Sequence, residues 1–116
     1  MLLTRNEMIG LIAFAIRKTA FTVGIKDADW KSTDELLAEI QVKDVDTYGL
    51  LSQFIDAYSE WFAFHEDVER QGKSGNLSEN EQRILVQKVQ TKEDARQAIL
   101  NRINQITESG RRRLTQ

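Results

Sequence analysis

The chain reads as an all-α protein, a small five-helix bundle with one long central helix and a C-terminal helical hairpin. Three observations predict this. Its 116 residues contain no proline, whereas about one residue in twenty is the usual share and folds of many short strands and tight turns normally use it. Four places pair a Ser or Thr with an acid three residues on, the arrangement that caps the first free amides of a helix. They are Thr4 with Glu7, Ser32 with Glu35, Ser78 with Glu81, and Thr91 with Asp94. Apolar residues after these points recur at helical spacing.

The first helix is expected over about 5–22. Met8, Ile9, Leu11, Ile12, Phe14 and Ile16 make it apolar around much of its circumference, so it should be buried in the domain or by a partner. A short second helix, about 33–42, carries Leu36, Leu37 and Ile40 on one side. The third, about 46–71, is capped by Asp44 or Asp46. It holds six of the nine aromatic residues. At 100° per residue its Leu50, Leu51, Phe54, Ile55, Tyr58, Trp61, Phe62, His65 and Val68 share an arc of about 140°, wide enough for a core. Phe64 falls just outside that arc and is a candidate for exposure. A fourth helix, about 79–90, presents Ile84, Leu85 and Val89; a fifth, about 92–109, carries the narrow stripe Ala95, Ile99, Ile103 and Ile106. Thr91 is a weak break, so these two read alternatively as one bent helix. Gly24, Gly72 and Gly110 stand where helices should stop. Residues 1–116 then form one domain, with a flexible linker at 72–76 and a basic C-terminal tail at 110–116.

A content of 41% hydrophobic and 29% charged residues fits a folded globular chain rather than a disordered one. With no cysteine, disulfide scaffolds, thiolate metal sites and thiol catalysis are excluded. The net charge of −2 argues against a general nucleic-acid coat, but it hides an asymmetry. Residues 1–25 sum to +2, residues 26–71 to −8 and residues 72–116 to +4. An acidic middle and a basic end suggest head-to-tail self-association, or a polyanion held at the C-terminus; solvated helix faces explain the pattern equally well. The nine apolar residues Met8–Ile16 are too few to span a bilayer, which needs about twenty. Glu7 before them and Arg17 and Lys18 after them do not fit a secretory signal. A cytoplasmic protein without membrane contact is expected.

Motif by motif, chemistry is hard to find. His65, the only histidine, sits in the apolar arc and is followed by Glu66 and Asp67, which would repel a phosphoryl donor. A di-iron carboxylate site needs Glu three residues before a histidine, and Phe62 stands there. Asp44 and Asp46 lack the glycine of a calcium loop. Gly72-Lys73-Ser74 ends like a phosphate-binding loop, but Asp67 occupies the place of its first glycine. Leu77–Leu85 resembles the first helix of a helix-turn-helix, with Lys92, Arg96 and Arg102 then available to DNA. Arg111, Arg112 and Arg113 are a denser candidate for a polyanion, by weak and salt-sensitive contact. Trp61 and Phe64, with Glu60 and Asp67 beside them, are the candidate protein contact, since aromatic anchors dominate interface energy.

Residues 30–72 resemble the small subunit of phage terminases. The residues that carry the resemblance are Trp30, Leu36, Leu37, Asp46, Leu51, Phe54, Ala57, Tyr58, Trp61, Glu66 and Gly72, joined later by Ser109-Gly110-Arg111-Arg112-Arg113. The resemblance implies a ring-forming oligomer that recognises packaging DNA and hands it to an ATP-driven large subunit. Because the first helix here is apolar rather than basic, the implied DNA contact falls on the C-terminal basic residues.

The expected function is non-catalytic: a helical protein that binds macromolecules, self-associates, and takes a protein partner. In its most concrete form it is a DNA-packaging adaptor. The alternative is a small phage or mobile-element inhibitor that blocks a host protein through its acidic central surface. No cofactor, metal or small-molecule substrate is expected.

Overall fold

The computed structural model describes residues 4–73 and 75–115, with side chains up to residue 110. Among them there are four α-helices and no strand: α1 (Arg5–Thr22), α2 (Thr33–Lys43), α3 (Val45–Arg70) and α4 (Glu79–Thr115), with a 3₁₀ turn, Ala28–Trp30, between the first two. The all-α expectation holds. The count of five helices does not, because the segments expected as fourth and fifth are one helix of 37 residues.

Local chemistry explains both outcomes. Thr4 and Glu7 form the expected reciprocal cap on α1, and the Ser32 hydroxyl accepts from the Glu35 amide at 3.2 Å. Ser78 and Glu81 exchange two bonds of 3.1 Å at the start of α4. Asp44 accepts from the Thr47 amide at the start of α3. Thr91 behaves differently. Its hydroxyl donates back to the Gln87 carbonyl at 2.9 Å, and Asp94 accepts from the Gln90 side chain. Without a glycine or proline nearby, continuing the backbone ladder costs less than ending it, and α3 runs alongside as support. Gly24 and Gly72 take left-handed conformations, φ +85° and +68°. Each closes its helix with the paired bonds that satisfy the last carbonyls, such as Lys73 N–H to Val68 O. Gly110, expected as a third stop, lies inside α4, which continues to Thr115. The expected tail is therefore helical through that residue.

The hairpin of α3 and α4 is the frame, and at about 1.5 Å per residue α4 spans about 55 Å, close to the 57 Å long axis of the molecule. The core occupies only one half of that length. Ile16 and Ala20 of α1, Leu36 and Ile40 of α2, Leu51, Phe54 and Tyr58 of α3, and Ile99 and Ile103 of α4 meet there. Leu36, Ile40 and Leu51 are fully buried, each contributing about 1.5–3 kcal/mol by leaving water. Phe62 and Val68 extend the buried face of α3 beyond this core. From Glu79 to Asp94 no residue of α4 is fully buried.

α1 does not disappear into the domain. Met8, Ile16, Thr19 and Ala20 turn inward, while Ile9, Phe14 and Phe21 stay largely exposed. No helix of the described residues is long and apolar enough to cross a membrane.

Candidate functional site

Where α1 crosses the hairpin, the side chains it presents inward are short. Ala15 and Thr19 face Phe54 and Tyr58 of α3 and Ile99, Leu100 and Ile103 of α4 across a groove of about 220 Å³. Leu11 and Phe14 form its α1 rim, and most of its lining is apolar. Two cations stand at its edge, Lys18 on α1 and Arg96 on α4. Both are exposed, and among the described residues neither takes part in an ion pair. At 100° per residue Leu11, Phe14, Lys18 and Phe21 lie within an arc of about 80°, so the groove continues along α1 as an exposed apolar stripe. Phe14 is 67% and Phe21 80% exposed. Such a surface offers an apolar area next to two positive charges, which suits an apolar group with an anion beside it.

The basic residues expected to meet DNA are separated by the fold. The Lys92 ammonium lies 4.8 Å from the centre of the Trp61 ring and 5.2 Å from that of Tyr58, and its side chain is 13% exposed. It also donates to Glu93. Its bond and charge, with a smaller contribution from Arg96, hold the exposed Glu93 carboxyl below the usual range. Arg102 is fixed as well. Its Nε donates to the Thr47 hydroxyl at 2.9 Å and its Nη2 to Asp44 at 3.1 Å, while the same hydroxyl donates to Asp44 at 2.7 Å. Burial pushes the Asp44 carboxyl up, but the bonds from Thr47 and Arg102 outweigh it and leave the pKa lowered. Of Lys92, Arg96 and Arg102, the three expected to meet DNA, only Arg96 remains open. Positions 111–113 fall at the end of α4, and the side chains of Arg111, Arg112 and Arg113 lie outside the described residues.

The expected protein contact is divided too. Trp61 stacks on His65 at 5.7 Å and 12°, meets Tyr58 edge-on and lies under Lys92. It is half-buried by these contacts. His65 is half-buried, its Nε2 3.7 Å from Glu69. Glu60, Phe64 and Asp67 come together around a shallow hollow that also takes in Arg70 and Lys88. Phe64 is half-buried rather than exposed. Next to this hollow, Asp56, Glu60 and Asp94 flank a second one floored by Ala57, Ala95 and Ala98.

Lys18, Phe14, Phe21 and the turn residue Trp30 are exposed features that periodicity did not single out as a surface. Trp30 is 89% exposed. Its position between two helices, behind Asp27 and Asp29, was the available signal, since an aromatic outside any periodic segment has no core to join. Among the described residues no group of three His, Cys, Asp or Glu side chains could hold a metal ion. Comparison with protein families, curated proteins and solved structures finds no match to this chain.

Proposed function

We propose that this chain is a non-catalytic helical binding protein that works by macromolecular association, including association with itself. The observation that carries this reading is the apolar stripe and groove of α1, where Phe14 is open to solvent in a groove shared with Lys18 and Arg96, and the exposed Phe21 continues the stripe. Large exposed apolar patches mark interaction surfaces. The test is the mass in solution by light scattering across a wide concentration range. A mass rising above the 13.4 kDa of one chain supports self-association; a constant 13.4 kDa removes it.

The DNA-packaging adaptor is the more specific form of this proposal and rests on the resemblance of residues 30–72. Lys92 and Arg102 are engaged internally, so DNA would be met by Arg96 and by Arg111–Arg113. Replacing the three C-terminal arginines together with alanine should then abolish salt-dependent DNA binding. A second reading, an inhibitor of a host protein, is favoured by the acidic hollow of Asp56, Glu60 and Asp94, whose lining contains no cation. That reading expects partner binding to be lost when these three are neutralised, with no DNA binding by the unmodified chain.

A further inference from the structure

We infer that the α1 groove of one copy receives the Trp30 turn of a second copy, joining chains head to tail. The inference rests on the proposed self-association and adds the two surfaces that perform it.

The turn is built as an anchor. Ala28 is buried and its carbonyl accepts from Arg17 Nη1. Asp27 holds a left-handed conformation at φ 57°, and the Trp30 amide closes the turn on the Asp27 carbonyl at 3.0 Å. A fixed backbone therefore presents an indole that its own chain leaves 89% exposed, and pre-organised aromatic anchors lose little freedom on docking. The exposed Asp27 and Asp29 flank it, while the nearby Lys26 lines the hollow over α2.

The groove is the complement. Its apolar lining faces the indole and its two exposed cations, Lys18 and Arg96, match the two acids. Its size fits as well. A cavity of about 150 Å³ accepts benzene, and an indole has half as many ring atoms again, which asks for roughly 225 Å³ by the same ratio; the groove measures about 220 Å³. An isologous contact of α1 with α1 would instead bring the Lys18 and Arg96 edges of two copies together. Because groove and turn are different patches, the contact is heterologous and propagates.

The test uses two exposed-surface variants of the full chain, Trp30→Ala and the double variant Lys18→Glu with Arg96→Glu, with circular dichroism to confirm that both stay folded. Each alone should raise the dissociation constant for self-association at least tenfold. Mixed, they should form a one-to-one pair of twice the chain mass and nothing larger, because one supplies the intact turn and the other the intact groove. If the unmodified chain associates and Trp30→Ala associates equally well, the inference is overturned while self-association stands. Retained association that is lost on Phe14→Ser would assign the contact to α1 alone and also overturns it. A chain that remains a monomer at every concentration removes both.

Discussion

Asp44 illustrates how one side chain can serve two levels of structure. It caps α3 through the Thr47 amide and, with the Thr47 hydroxyl, takes the Arg102 guanidinium from α4. Thr47 is fully buried, so removing the acid strips its hydroxyl of an acceptor where water does not reach. Asp44→Ala should lower stability by about 2 kcal/mol, roughly half from the lost cap and half from the unsatisfied partners, as urea unfolding would measure. Asp44→Asn keeps much of the geometry and loses the charge. The folded carboxyl titrates below its ordinary value of 3.8, so the charge's contribution is complete above that value and is lost as pH falls through the lower folded one. The advantage of the unmodified chain over Asp44→Asn should therefore be constant at neutral pH and shrink below about pH 4.

Helix punctuation is decided at the scale of the element. The Ser78 and Thr91 starts have the same form in sequence, yet only the first begins a helix. Ser78→Ala should cost about 1 kcal/mol. Thr91→Ala should instead stabilise by a few tenths of a kcal/mol, because it replaces a β-branched residue in a helix interior. Equal losses in thermal unfolding would contradict the continuous α4. Gly49 tests α3 in the same way. It lies inside the helix, and a Cβ added there meets nothing within 4 Å, so Gly49→Ala should stabilise by about 0.5–1 kcal/mol.

Over the whole molecule, stability is unevenly spread. All four helices contribute to the core, which α4 meets through Ala95, Ile99 and Ile103, whereas the first sixteen residues of α4, Glu79–Asp94, bury none completely. Amide exchange should find the slowest protons in Leu51–Tyr58 and around Ile99–Ile103, and markedly faster ones in Glu79–Val89. Uniform protection along α4 would mean that the hairpin opens only with the core. The same unevenness places the groove. It lies where α1 meets the best-packed part of the hairpin, so the surface offered to a partner is held by the most stable region.

Much of this was legible in the chain itself. The starts at Thr4, Ser32, Asp44 and Ser78, the stops at Gly24 and Gly72, and the inward face of Leu51, Phe54, Tyr58 and Phe62 all depend on neighbours within one or two turns, and local hydrogen bonds and 3.6-residue spacing act over that range. At Thr91 the sequence left one helix and two both open, and the structure chose one; tertiary structure alone decided that Lys92 and Arg102 turn inward and that Phe14, Phe21 and Trp30 stay open. A side chain's neighbours across helices are set by how long elements cross and which short residues meet there. The acceptors that claim Arg102 are 55 and 58 residues away in sequence, beyond the reach of any local pattern.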